Sequence, residues 1–238
     1  QVAAGTYKES VHVDRSVHLI GDPGDPNTLG PGENAPVIDC AGITEQDGRA
    51  VQGGFYIEGA NARDVVIEGF VVKNVTARED GSGIFGHGKL VSNVTVRYNH
   101  IHDVTESGVR TFNSYGSEQQ TGWVVTDNII EKCAKTAIAF VGTGESVISR
   151  NKIFNPSVPG NNPNAILVKT DANGKFNLTV SDVEISDNEI LDWPDRAIYI
   201  LASSTYTLSS ATIERVSIVN NTITSRTEPI TVWGYGGT

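Results

Sequence analysis

The chain has 238 residues, 18 Lys and Arg against 28 Asp and Glu, and a formal net charge of −10 at pH 7. Such an acidic balance argues against nucleic acid as a partner, because a basic face would have to supply the affinity. It gives no basic patch for an anionic membrane, and no apolar run approaches the roughly 20 residues needed to span a bilayer. Gly is frequent, at 25 residues, and β-branched residues dominate the apolar runs.

The first 22 residues enter a strand pattern almost at once. Val11 and Val13, then Val17 and Leu19, alternate with polar residues around a bend at Asp14–Ser16, the period of a half-buried strand. Residues 22–36, DPGDPNTLGPGENAP, are packed with turn formers. Short strands follow at Val37–Cys40, Phe55–Ile57 and Val65–Ile67, with Phe70 at a bend. From there one pattern recurs: VRYNHI, VTDNII, ISRNKI, ISDNEI and IVNNTI, with its bend at Asn99, Asn128, Asn151, Asn188 and Asn221.

The spacing changes from 29 to 23, 37 and 33 residues between these bends, as expected of stacked repeats that take loop insertions without disturbing their strands. Asn at successive bends predicts a ladder of side-chain amides and a left-handed backbone at the bend itself. These five residues are assigned to structure, not catalysis. The fold expected is all-β: a single domain over 1–238, a right-handed parallel β-helix of about seven or eight coils.

The opening VAAGTYKESVHVDRSVHLIGD, the later PVIDCAG and the bend motif followed by Gly/Ala–Ile/Val strands resemble the right-handed parallel β-helix repeat superfamily, whose fold pectate lyases share. The resemblance covers nearly the whole chain and implies an exported, extracellular or cell-surface protein. It specifies architecture better than chemistry, because one such fold hosts many functions. Members usually carry an amphipathic segment ahead of the V-x-x-GTY strand. Its absence here, and the ending PITVWGYGGT, predict a coil uncapped at both ends. That implies self-association through the ends or contact with flanking domains.

Strands that follow Gly or Ala form one column: GIFGH, GVRTF, AIAFV, AILVK, AIYIL and PITVW. Inward residues are expected at Ile84, Val109, Ile138, Ile166, Ile198 and Ile230, and two positions on at Thr111, Phe140, Val168, Ile200 and Val232. By alternation the outward face carries Phe85, His87, Arg110, Phe112, Lys169 and Tyr199. Its aromatic rings suit stacking on sugars, so Phe85, Phe112, Lys169 and Tyr199 are the candidate glycan contacts. Asp80, His87, Asp103, Glu106 and Arg110 come from adjacent coils. Of these Asp80, Glu106, His87 and Arg110 are the candidate catalytic set for acid–base chemistry on a uronic acid. Gly86-His87-Gly88 matches part of a polygalacturonase motif, but the accompanying Asp and Arg-x-Lys motifs are absent.

No cofactor is implied, Ca²⁺ being an option only for a lyase, and His100 and His102 form no persuasive metal set. Cys40 and Cys133 lie several coils apart, at about 4.8 Å per coil, and read as buried thiols. Four N-x-S/T triplets, at Asn74, Asn93, Asn177 and Asn220, are glycan acceptors if the protein is exported. Two classes of function remain open. One is a non-catalytic scaffold or glycan-contact domain, with stacking into filaments; the other is a polysaccharide lyase, epimerase or hydrolase.

Overall fold

A computed structural model describes the chain except residues 47, 77–80, 89, 114–118, 155, 157–163, 171–177, 204–209 and 236–238. The architecture is a right-handed parallel β-helix of about seven turns, and no α-helix occurs among the described residues. Three long parallel sheets run along the coil. The first contains the strands after each bend, such as Val71–Val75 and His100–Val104. The second contains Val11–Val13, Gly53–Glu58, Ser82–His87, Ser107–Phe112, Thr136–Val141, Asn164–Lys169, Ile198–Ser203 and Ile230–Tyr235. The third contains the strands before each bend, such as Arg63–Glu68 and Ser92–Arg97.

Each coil sits in register on the next, so one sequence position forms a column. Ile138 pairs with Ile166 and Ile166 with Ile198, and all three are fully buried, as is the column of Thr111, Phe140 and Val168. Ile230 and Val232 depart from the expectation. They keep the register of that column, yet they are 47% and 74% exposed, since their strand lies at the edge of the sheet with a neighbour on one side only.

The bends are joined by an amide ladder. The Asn99 backbone N–H and Nδ2 both donate to Asn128 Oδ1, at 3.0 and 3.1 Å. The same pair of bonds joins Asn128 to Asn151, Asn151 to Asn188 and Asn188 to Asn221. Phe70 N–H donates to Asn99 Oδ1 at 3.0 Å and begins the series. The left-handed backbone falls one residue earlier than expected, at Tyr98, Asp127, Arg150, Asp187 and Asn220, with φ between 50° and 58°. The ladder Asn must point its amide inward along the stack, so the residue before it makes the corner.

Both cysteines are buried and unpaired; burial pushes the Cys40 thiol up to about 12 and raises Cys133 as well. Asp39, on a strand of the first sheet, is also buried. Burial opposes its charge. Hydrogen bonds from Lys8 Nζ, Asn74 Nδ2 and the Ala41 amide, at 2.8, 2.9 and 3.0 Å, outweigh it, and hold the carboxyl at about 2 instead of 3.8.

Three measurements check this packing. Ile166→Ala should cost about 2–5 kcal/mol of unfolding free energy, the range for a large-to-small core change. Asn151→Ala removes an acceptor and two donors from a buried ladder and should cost about 3 kcal/mol or more. For Asp39 the native pKa is the depressed one, so its stabilisation is present above pH 3.8 and disappears as pH falls towards 2. The shift corresponds to about 2 kcal/mol. An Asp39→Asn protein should therefore lose stability at neutral pH but show a shallower acid limb in pH-dependent melting.

Candidate functional site

Among the described residues, the outer face of the second sheet carries three grooves in series. The first, about 590 Å³, is lined by residues including Ser10, His12, Gln46, Arg49, Tyr56 and Glu58. A short antiparallel pair, Glu45–Gln46 with Arg49–Ala50, contributes to its wall. The second, about 210 Å³, lies between Glu58, Gly59, His87, Gly88 and Leu90. The third, about 200 Å³, is lined by residues including Glu106, Arg110, Phe112, Lys135 and Lys169.

The register explains the juxtaposition. Tyr56 stands beside Phe85 and Glu58 beside His87; Phe85 then stands beside Arg110 and His87 beside Phe112. Glu58 is the hub of the first two grooves. Its Oε1 lies 3.0 Å from His12 Nε2 and accepts from Arg49 at 2.9 Å. Its Oε2 accepts from the Tyr56 hydroxyl at 3.0 Å, and that hydroxyl is 3.0 Å from His87 Nδ1. A phenol has one proton, and a carboxylate paired with arginine can only accept. Tyr56 therefore donates to Glu58, and His87 Nδ1–H donates to Tyr56. His87 Nε2 is left as an acceptor, with no hydrogen bond to any described residue.

The His87 backbone is braced from inside. Gly86 lies against Trp123, whose Cζ2 would stand 2.3 Å from a Cβ at that position. Gly88 has φ of 87°, the left-handed region. Buried Gln120 donates to the Gly86 and Gly88 carbonyls at 3.1 and 2.7 Å, and accepts from Trp123 Nε1 at 3.0 Å. Packing and turn geometry thus account for both glycines of Gly86-His87-Gly88.

The residues expected at the site do not all meet there. Arg110, Phe112 and Lys169 meet in the third groove, with Glu106, whose carboxylate lies 3.8 Å from Arg110 and is paired to Lys135. Phe85 is a correction: it points outward but is fully buried, beneath the Arg110 guanidinium at 5.2 Å and against the Tyr56 and His87 rings. Tyr199 is 9% exposed, with the Arg196 guanidinium 4.8 Å from its ring centre. Asp80 and Asn177 lie outside the described residues. Asp103 is not with Arg110; it is on the first sheet, 2.5 Å from His102 Nδ1.

The aromatic face also differs from the sugar-stacking surface expected. His87 stacks on Tyr56 at 6.0 Å and on Phe112 at 6.2 Å, almost parallel to the latter at 6°. Rings stacked coil on coil cover one another's faces and present their edges to the groove. Ring edges and polar atoms, not ring faces, are therefore what this face presents.

On the first sheet, His100 and His102 lie with ring centres 4.6 Å apart. His100 Nε2 is 3.0 Å from Glu131. Burial lowers the His100 pKa against the opposing pull of Glu131. Among the described residues no group of three or more His, Cys, Asp or Glu is placed to hold a metal ion. The Asn74 and Asn93 amides donate to Asp39 and Asp64, and Asn220 is exposed.

Sequence reasoning missed His12, Arg49, Tyr56 and Glu58. A signal for two of them was present: the 29-residue offset that relates Asn99 to Asn128 also carries Tyr56 onto Phe85 and Glu58 onto His87.

No family model matches the chain, and no curated protein matches it. Among solved structures, the enzymatically active domain of bacteriophage CBA120 tailspike protein 2 is similar at 16% identity and a TM-score of 0.33. The match covers 92% of this chain and 30% of the tailspike chain, so this chain spans under a third of that structure's length.

The hydrogen-bond pattern fixes a tautomer that nuclear magnetic resonance can read. ¹⁵N spectra of the imidazoles should show neutral His87 protonated at Nδ1. In a Tyr56→Phe protein that preference should relax towards the Nε2–H form, because the acceptor of the Nδ1 proton is gone. A wild-type His87 already protonated at Nε2 would reject the assigned direction of the bonds.

Proposed function

We propose that this chain is a polysaccharide-contacting β-helix domain of an exported protein, and that it binds an acidic glycan along the outer face of the second sheet. One observation carries the reading. In a chain of net charge −10, the described residues lining the three grooves include four permanent cations, Arg49, Arg110, Lys135 and Lys169, against two carboxylates, Glu58 and Glu106. Three of those cations converge on the third groove.

The chemistry follows from the residue types. A guanidinium presents paired N–H donors that match a carboxylate in the plane of both groups, and lysine adds point charge. The series of grooves runs across neighbouring coils, as an extended chain of sugar units would. Edge-on aromatic rings and the groove walls supply shape, while the cations supply selection for charge.

Calorimetric titration with an oligouronate and with a neutral oligosaccharide of equal length tests this. Arg110→Ala should weaken the acidic ligand about 10-fold or more, the worth of a hydrogen bond between charged groups. Binding of the neutral ligand should hardly change. Affinity for the acidic ligand should fall with added salt. Equal losses on the two ligands, or indifference to salt, would reject the proposal.

A further inference from the structure

We infer that His87 is the proton-transfer residue of a polyuronate lyase, with Tyr56 and Glu58 as its positioning residues. This rests on the reading of the second sheet's outer face as an acidic-glycan site. Three features point to it. The Tyr56–Glu58 pair holds the proton of His87 on Nδ1, which leaves the Nε2 lone pair available as a base. The faces of the imidazole are covered by Tyr56 and Phe112, so its edge is what lines the second groove with Glu58 and Leu90. The guanidinium of Arg110 lies 5.0 Å from the centre of the Phe112 ring, on which His87 stacks.

The reaction these groups support is β-elimination at a uronate. Arg110 pairs with the sugar carboxylate and offsets the charge that builds there as the C5 hydrogen becomes acidic. His87 Nε2 takes that hydrogen as a proton, and the C5–H electron pair forms the C4=C5 double bond. The C4–O bond breaks, and its electrons go to the leaving oxygen. The Nε2–H of the imidazolium then protonates that oxygen. His87 returns to its starting tautomer, and no water, oxidant or metal enters the balance. Tyr56 and Glu58 keep Nδ1–H in place throughout and stabilise the imidazolium between the two transfers.

The flat sheet sets the stereochemistry. Among the described residues, protein groups reach the sugar from the sheet side, and one imidazole both takes and returns the proton. The C5 hydrogen and the C4 oxygen must then lie on the same face of the ring. D-mannuronate and D-glucuronate units meet that requirement; D-galacturonate and L-guluronate units do not.

The experiment is to incubate the intact chain with polymannuronate, a glucuronate polymer, polygalacturonate and polyguluronate. Release of unsaturated ends is followed by ultraviolet absorbance, and binding is measured in parallel. Unsaturated product is expected from the first two polymers only. His87→Gln should lower turnover by about 100-fold or more, the lower end of a general-base contribution, while binding persists. Tyr56→Phe should lower kcat about 10-fold or more and shift folded His87 towards the Nε2–H tautomer in ¹⁵N spectra, a pairing that a loss of folding would not give. Should His87→Gln fail to fold, the stereochemical split and Tyr56→Phe decide. Binding without release of unsaturated ends overturns the lyase and leaves the binding reading intact. So does full activity in His87→Gln, or preferred cleavage of the galacturonate and guluronate polymers. Absence of binding to every acidic polymer overturns both.

Discussion

The structure depends on the vertical registration of its coils, and the asparagine ladder sets it at the corner. A parallel sheet alone tolerates slippage, since its backbone bonds are alike from residue to residue. A slip of one residue would turn every side chain to the opposite face. The ladder breaks that degeneracy. From Asn128 onward each Oδ1 accepts two bonds from the coil beside it, and each ladder Nδ2 also donates to a backbone carbonyl of a third-sheet strand, as Asn128 does to Val96. From Asn99 to Asn188 these side chains are buried, so a register that left them unpaired would carry the desolvation cost of several polar atoms at once. Coils of 23 and 37 residues then align as well as coils of 29, because the corner, not the loop length, defines the starting point of each turn.

Registration makes columns, and columns make the surface chemistry. Arg97 meets Glu68 across 29 residues, Arg150 meets Asp127 across 23 and Arg215 meets Asp182 across 33. These pairs lie outside the three grooves and read as coil-to-coil ties, of modest worth where exposed. The network at Glu58 differs in kind. It gathers four partners from four separate segments, Val11–Val13, Arg49–Ala50, Gly53–Glu58 and Ser82–His87, and it lines two of the grooves.

How far the sequence reveals this molecule follows from which physical effects are local. Alternation decides whether a side chain points in or out, so Ile138, Ile166 and Ile198 were readable as a buried column. Alternation says nothing of what lies on top, so the pattern places Phe85 at the surface although Arg110, Tyr56 and His87 enclose it. Nor does it give the orientation of a ring, and stacking between coils leaves a row of edges where ring faces were expected to meet sugars. The bend was placed correctly, but its left-handed residue precedes the Asn, because the ladder needs the Asn itself in a conformation that aims its amide along the stack. Ile230 and Val232 keep the inward pattern yet stay exposed, since burial requires a neighbour on both sides. Tyr56 and Glu58 were legible in principle, one repeat before the column in which the outward residues were first read.

The base proposed at His87 must be held still by something other than its own packing, and the interior of the coil supplies that hold. His87 lies between Gly86 and Gly88, two residues with no side chains to restrain them. The carbonyls of both accept from the same buried amide, Gln120 Nε2. Gln120 is in turn fixed by the indole N–H of Trp123, which is fully buried and fits only because Gly86 lacks a Cβ. The backbone of His87 is therefore clamped from the core side, and its imidazole is fixed from the solvent side by Tyr56 and Glu58. Groups held in this way do not need to reorganise when charge appears on them, which is the condition for effective proton transfer.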